Sequence, residues 1–192
     1  MSDLRAGAGT MLLSAPTLLD PNFMHTVVLM CQHDEDGAFG LVVNRVTDAR
    51  VGELFPDHEQ LRRLEQRVRA GGPVAQDTLQ VIHRLPPELA ASTGGVDVGD
   101  GVRIGADLNA LMGVDGAAEA LGARARFVVG YAGWAAGQLD AEIATGSWLP
   151  LATSVDLVFA EGSGEEVWRA GVRRLGGDGS GLVHLPPDPT WN

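Results

Sequence analysis

Two short apolar runs separated by a polar turn give the clearest structural signal in this chain. The runs are TVVLMCQH and AFGLVVN, and Asp36 with Gly37 supplies the turn between them. Their β-branched valines and short length favour strands over a buried helix. The pattern predicts an antiparallel hairpin with strands over residues 26–32 and 39–43. Because residues 27–31 are all apolar, we expect the hairpin to lie inside a sheet with both faces covered.

The segment that follows the hairpin carries a helical pattern. Leu61, Leu64 and Val68 recur at helical spacing, which predicts a helix over residues 57–69. Its arginines would form a solvated face balanced by glutamates, or a patch for an anion or a partner; they are Arg62, Arg63, Arg67 and Arg69. Further along, the pattern predicts a strand over residues 78–83, a loop over 85–95, a strand over 102–104, and a helix that begins with Asp107 as N-cap and ends near residue 113.

The last third of the chain again mixes strands with helices. Ser163 and Glu166 have the spacing of a capping box and predict the start of an amphipathic helix. The other predicted elements are a strand over residues 126–130, a glycine-rich turn, a helix over 138–145 and a strand over 156–159. Without repeats or linkers, this order predicts one α+β domain over residues 1–192 with a mixed sheet. We expect an ordered core over about residues 10–177 and a loosely ordered carboxyl-terminal tail.

Composition and charge exclude several classes of function. The chain has 192 residues, 25 acidic and 14 basic side chains, a formal net charge of −11 and no lysine. Lysine-dependent chemistry, including Walker A phosphate loops and pyridoxal phosphate Schiff bases, is therefore excluded. The negative charge argues against duplex DNA binding, which depends on neutralising phosphates. Known metal and cofactor motifs are absent from the sequence, so we expect no metal and no cofactor.

Cysteine content and hydropathy bear on the compartment. Cys31 is the single cysteine and lies in an apolar run, which predicts an inert core thiol in a reducing cytoplasm. The amino-terminal apolar run is too short for a secretion signal. The longest apolar stretch is far shorter than the roughly 20 residues that span a bilayer, so we expect no membrane association. The acidic cluster HDED, from His33 to Asp36, is interpreted as a solvated turn, with a cation site as the alternative.

The segment GYAGWAAGQLDAEIATGSWL is the most distinctive part of the chain. A glycine turn between a strand and a helix can present free N–H groups to an anion or ligand, but it can equally serve tight packing. Five side chains add aromatic and polar groups to this segment: Tyr131, Trp134, Gln138, Glu142 and Trp148. We predict that Tyr131 or Trp134 lines a concave surface together with Asn44 or Arg45, because both segments turn polar after apolar runs.

Four sequence blocks together resemble the YqgE/AlgH family of bacterial proteins. They are SAPTLLDPNFMHTVVLMCQHDEDGAFGLVVNR, GGPV, GYAGWAAGQLDAEIATGSWL, and DLVF followed by VWRAGVRRLG. The resemblance implies an α+β fold with a mixed, partly barrel-like sheet flanked by short helices. It also implies a regulator, of transcription in the family's usual description, with no assigned activity. The positions that it marks as ligand or partner candidates are Asn44, Arg45, Gly72, Pro73, Tyr131, Trp134, Gln138, Glu142 and Trp148.

Two functional hypotheses follow. The first is a non-enzymatic, cytoplasmic regulatory or interaction protein whose partner is another protein or a small molecule. The alternative is a small-molecule or nucleotide-binding protein, or an uncharacterised enzyme, with its site near residues 130–138. A pocket that joins Asn44 and Arg45 to Tyr131, Trp134 and Gln138 would favour a ligand, whereas a flat apolar patch would favour a protein partner.

Overall fold

Ten strands and six α-helices form within the residues that this computed structural model describes, which are 6–111 and 114–176. The strands are β1 (Met11–Ser14), β2 (Val27–Asp34), β3 (Gly37–Val42), β4 (Val46–Arg50), β5 (Arg67–Ala70), β6 (Val74–His83), β7 (Val96–Asp97), β8 (Arg103–Ile104), β9 (Ala125–Ala135) and β10 (Trp148–Leu151). The helices are α1 (Val51–Leu54), α2 (Pro87–Thr93), α3 (Ala117–Arg124), α4 (Gln138–Ala144), α5 (Val155–Val158) and α6 (Gly164–Arg174). Short 3-10 turns at Leu61–Arg63 and Asn109–Leu111 complete the described elements.

One mixed sheet organises these elements. Its strand order is β10-β1-β2-β3-β9-β6-β8-β7, with β4 and β5 attached through a pairing of β5 with β9. The β5–β9 ladder is parallel and the other ladders are antiparallel. The α+β class with a mixed sheet is therefore confirmed. The path ends at β10 on one side and β7 on the other, so the sheet stays open and does not close into a barrel.

The predicted hairpin is confirmed as β2 and β3. Val28 pairs with Val42 and Leu29 pairs with Leu41 in an antiparallel ladder. Val27 and Leu29 contribute to one hydrophobic cluster, whereas Val28 and Met30 contribute to another, so apolar layers cover both faces. The ladder shifts between Met30 and Gln32, which leaves Cys31 as a bulge. Burial raises the pKa of the Cys31 thiol to about 12, which agrees with the predicted inert thiol.

The chain crosses the face of β9 between β5 and β6. Val128 of β9 pairs with Arg69 of β5 and also with Gln80 of β6, which places those two strands on opposite edges of β9. The crossing is made by the GGPV motif. A Cβ atom on Gly72 would lie 2.2 Å from the Tyr131 carbonyl, and one on Gly130 would lie 2.6 Å from the Gly72 carbonyl oxygen. Glycine is required on both sides of this contact.

The prediction of a helix over residues 57–69 is wrong. A 3-10 turn at Leu61–Arg63 is followed by an extended segment and by β5. Leu61, Leu64 and Val68 are buried as expected, but through the turn and the strand, because pairing with β4 and β9 overrides the local helical spacing.

The arginines of this segment are therefore divided between solvent and core. Glu59 pairs with Arg63 at 2.9 Å, but Glu65 pairs with Arg50 and not with Arg69. Arg62 and Arg63 are exposed, whereas Arg69 is buried in the sheet. The predicted single solvated arginine face does not exist.

Other predicted elements had mixed outcomes. Residues 156–159, predicted as a strand, lie mostly in helix α5, where Leu157 and Val158 face the core. The predicted loop over residues 85–95 contains helix α2, which begins with Pro87 in its first turn. Asp107 accepts bonds from the N–H groups of Asn109 and Ala110, but it caps only a 3-10 turn. Helix α3 was not predicted.

Helices α4 and α6 confirm the predicted helix over residues 138–145 and the predicted helix that follows the Ser163–Glu166 capping box. Ser163 and Glu166 form both bonds of the capping box at the start of α6. On the same helix, Trp168 is buried and its indole N–H donates to the Ser14 carbonyl at 2.9 Å. The predicted helix end near residue 113 and the carboxyl-terminal tail lie outside the described residues. No helix in the described part of the chain has the length and apolarity needed to cross a membrane.

Candidate functional site

An open groove of about 600 Å³ lies where the tip of the β2–β3 hairpin meets β9 and the start of β6. The hairpin places residues from both sides of its turn in this groove. β9 and β6 supply the floor and the far side. The lining residues are Gln32, Asp34, Asp36, Gly37, Ala38, Phe39, Val74, Thr78, Gln80, Tyr131, Gly133 and Trp134.

Aromatic rings contribute to the lining of the groove. Phe39 and Tyr131 are half-buried and meet edge to face, with ring centroids 5.8 Å apart. Gly133 pairs with Phe39 and lies beside the Tyr131 ring. A Cβ atom at Gly133 would lie 3.2 Å from that ring, so the absence of a side chain leaves space beside it. Within the described residues the Tyr131 hydroxyl makes no hydrogen bond. The groove therefore offers an apolar surface together with a hydroxyl group that has no hydrogen-bond partner in the described part of the chain.

Carboxylates give the groove its charge. Asp34 and Asp36 are exposed at the hairpin turn. Hydrogen bonds from the Gln32 side chain and from the Asp36 and Gly37 backbone lower the pKa of Asp34, which keeps it ionised near neutral pH. The described residues that line the groove include no arginine and no histidine. A cationic group is therefore the best electrostatic match to this surface.

Glu142 joins three other predicted site residues in a hydrogen-bond network. Its Oε2 atom accepts hydrogen bonds from the indole N–H groups of Trp134, at 2.9 Å, and Trp148, at 2.8 Å. Its Oε1 atom accepts a bond from the Gln138 amide at 2.8 Å. Gln138 in turn accepts the backbone N–H of Ala135 at 3.0 Å. This network fastens helix α4 to β9 and β10 beside the groove.

Replacing Glu142 with alanine is expected to lower the free energy of unfolding by about 3 kcal/mol, because two buried indole N–H groups lose their acceptor. Urea denaturation would measure the change. Glu142→Gln keeps a carbonyl acceptor and should cost about half as much, whereas Glu119→Ala, at an exposed position on α3, should cost less than about 0.5 kcal/mol. A loss below about 1 kcal/mol for Glu142→Ala would contradict a structural role for this carboxylate.

Asn44 and Arg45 belong to a different part of the surface. The Asn44 side chain accepts the N–H of Val27 at 2.9 Å and donates to the carbonyls of His25 and Gly164, at 2.9 Å and 2.7 Å. Arg45 donates to the Pro21 carbonyl at 2.7 Å. Both side chains are used to join the hairpin to neighbouring segments.

The predicted concave surface that joins Asn44 or Arg45 to Tyr131 or Trp134 is therefore not formed. Arg45 lines a separate small cavity of about 80 Å³ together with Gly72 and Pro73. Gly72 and Pro73 line this small cavity and the next residue, Val74, lines the groove, so the chain crossing over β9 separates the two surfaces.

The glycine-rich turn predicted after residue 130 is also wrong in extent. Strand β9 continues through Gly130 and Gly133 to Ala135, and the turn comes only at Ala136 and Gly137. Pairing with β3 holds residues 132–135 extended.

Sequence reasoning missed Phe39, Val74, Thr78 and Gln80 as groove residues. Asp34 and Asp36 were interpreted as part of a solvated turn, with a cation site as the alternative. One available signal was the aromatic residue Phe39, two residues after Gly37 of the turn. No group of three or more potential metal ligands occurs within residues 6–111 and 114–176.

The chain is similar to a family model and to several bacterial proteins. A family model described as AlgH-like (DUF179) matches residues 11–180. A UPF0301 protein of Chlorobaculum tepidum is 35% identical over 184 residues, covering 96% of this chain and 95% of that protein. A UPF0301 protein of Anaeromyxobacter dehalogenans is 37% identical and covers 90% of this chain and 89% of its own length.

Two solved structures are similar. The solution structure of the AlgH protein from Pseudomonas aeruginosa matches with a TM-score of 0.66 and 28% identity, covering 97% of this chain and 98% of that one. A crystal structure of a protein from Corynebacterium diphtheriae matches with a TM-score of 0.79 over 96% of this chain and 95% of that one. Its identity is 23%, so this second likeness concerns the fold.

Proposed function

We propose that this chain, which belongs to the AlgH-like family as its sequence motifs predicted, is a non-enzymatic, cytoplasmic interaction protein that binds a basic segment of a partner protein in the groove. The observation that carries this proposal is the combination of the Phe39–Tyr131 aromatic pair with the Asp34 and Asp36 carboxylates. Arginine and lysine side chains match both components, through cation–π contacts and ion pairs.

The shape of the groove supports a protein partner over a small molecule. Small-molecule sites usually enclose most of the ligand. Here the lining side chains Gln32, Asp36, Val74 and Thr78 are exposed, and the groove extends along strands at the surface of the sheet. An extended segment could lie along such a surface and place its side chains between the hairpin tip and β6.

Nucleotide binding near residues 130–138 has weaker support. The Asp34 and Asp36 carboxylates would repel phosphate groups in the groove. Helix α4 has only seven residues, and the Ala135 N–H that precedes it is already bonded to Gln138. A regulatory role, which the family resemblance implies, would on this view act through a protein partner and not through duplex DNA.

A nuclear magnetic resonance titration with a defined probe tests this function. The probe is a blocked glycine-arginine peptide with two arginines, and the comparison peptide has glutamates at the same positions. The arginine peptide is expected to shift the backbone amides of Gly37, Phe39, Tyr131 and Gly133, whereas the glutamate peptide should leave them unchanged.

Matched variants make this test specific. Asp36→Asn and Phe39→Ala should each weaken binding of the arginine peptide by about fivefold. Glu119→Gln removes an exposed carboxylate outside the groove and should have no effect. Equal binding by all three variants, or equal shifts with the glutamate peptide, would overturn the proposed function.

A further inference from the structure

Two arginines are buried together beneath the loop between α5 and α6. Arg69 lies on β5 and is 5% exposed, and Arg126 lies on β9 and is 7% exposed. In the parallel ladder Arg69 is opposite Val128, which is two residues from Arg126, so both arginines occupy the same face of the sheet. Arginine is rarely buried without a paired anion, so this arrangement requires an explanation.

The loop brings the two guanidinium groups side by side. Arg126 donates to the Phe159 carbonyl at 2.9 Å, and Arg69 donates to the next carbonyl, that of Ala160, at 3.3 Å. Arg126 also lies over the Phe159 ring, with its central carbon 5.2 Å from the ring centroid. These contacts satisfy only part of each fork, because the Nε–H groups of both arginines are buried and have no hydrogen-bond partner within the described residues.

The charges of this cluster do not balance. The Glu161 carboxylate pairs with Arg126, but the Glu161 side chain is 81% exposed. No ion pair of Arg69 is formed within the described part of the chain. Burial lowers the pKa of both guanidinium groups, and the charge of Arg126 lowers that of Arg69 further, which reflects the cost of holding two cations in this place.

We propose that Arg69 and Arg126 form a binding site for a small free oxyanion of the phosphate type, which replaces the Glu161 carboxylate. Guanidinium forks match the geometry of phosphate oxygens, and an anion in the place of the Glu161 carboxylate would accept the Arg126 Nη2–H bond that the carboxylate now accepts. Because both side chains are almost fully buried, the site suits a small ion better than an extended ligand. Glu161 is mostly exposed, so its side chain can move into solvent to admit the ion.

Thermal unfolding in inorganic phosphate, compared with chloride at the same ionic strength, tests this site. Phosphate is expected to stabilise the protein, since an ion that binds only the folded state raises its stability. Glu161→Gln removes the competing carboxylate and should tighten the apparent dissociation constant for phosphate by about tenfold. Arg126→Met, with a neutral side chain of similar length, should remove the saturable part of the phosphate response and leave only the general stabilisation that phosphate gives as an excluded salt.

Two controls separate this site from general charge effects and from the groove. Arg67→Met removes an exposed arginine from the same strand, and Asp36→Asn alters the groove; both should keep the phosphate response. If Arg126→Met does not fold, the Glu161→Gln variant still tests the site, because Glu161 is an exposed loop residue whose substitution should leave the fold intact. The same dependence of stability on phosphate concentration in the unmodified protein and in Glu161→Gln would overturn the proposal.

Discussion

Gly72→Ala is expected to destabilise the protein by at least about 4 kcal/mol, enough to abolish a cooperative folded state in many domains. Gly72 has a φ of +152°, and an added Cβ would lie 2.2 Å from the Tyr131 carbonyl and 2.4 Å from the Ala132 nitrogen. The contact atoms are backbone atoms of β9, which is paired on both edges and cannot give way. Circular dichroism during urea denaturation would measure the loss.

Gly94→Ala is the matched control. Gly94 also has a positive φ, of +71°, but an added Cβ there would meet nothing within 4 Å. Only the strain of its backbone conformation remains, at φ +71° and ψ −138°, which costs about 1–3 kcal/mol for a residue with a side chain. A Gly72→Ala loss no larger than that of Gly94→Ala would show that the crossing over β9 has room for a side chain, contrary to the structure.

Asn44→Asp is expected to cost about 4 kcal/mol at neutral pH. Asn44 is 2% exposed, and its amide nitrogen donates to two carbonyls that a carboxylate oxygen would instead repel. The introduced carboxyl group would gain a donor only when protonated, so its pKa in the folded state should be raised. The destabilisation relative to the unmodified protein should therefore shrink as the pH falls through that raised pKa.

The control for this substitution is Asn109→Asp. Asn109 is exposed on a 3-10 turn, and the same chemical change should alter stability by less than about 0.5 kcal/mol. Comparing urea midpoints of the two variants between pH 7 and about pH 4 measures both the size of the effect and its pH dependence. A pH-independent loss at Asn44 would contradict the assigned donor role of its amide.

Local signals in the sequence predicted the hairpin and helix α6 well, because turn residues and a capping box act on neighbouring residues. β5 was missed for the opposite reason. Its four residues are held by pairing with β4 and β9, and β9 is distant in sequence, so the helical spacing of Leu61, Leu64 and Val68 was misleading. Tertiary pairing outweighs local preference at such a place.

The candidate site was predicted in part for a similar reason. Tyr131 and Trp134 do line the groove, but Asn44 and Arg45 do not, because the chain crossing at Gly72 lies between the two surfaces. No sequence periodicity encodes a crossing of this kind. The buried cluster of Arg69 and Arg126 was equally hidden, since arginines at alternate strand positions are usually assigned to solvent.

The position of β9 between β5 and β6 determines when these strands can pair during synthesis of the chain. β5 and β6 are separated by only three residues, yet they pair with β9 and not with each other. β4 and β8 emerge before β9, but a ribosome must release residues 125–135 before β5 and β6 can make their pairings with β9. Until then the apolar faces of the hairpin and of β5 remain uncovered, which favours association with other chains. The nascent polypeptide, more than the finished protein, should depend on chaperones.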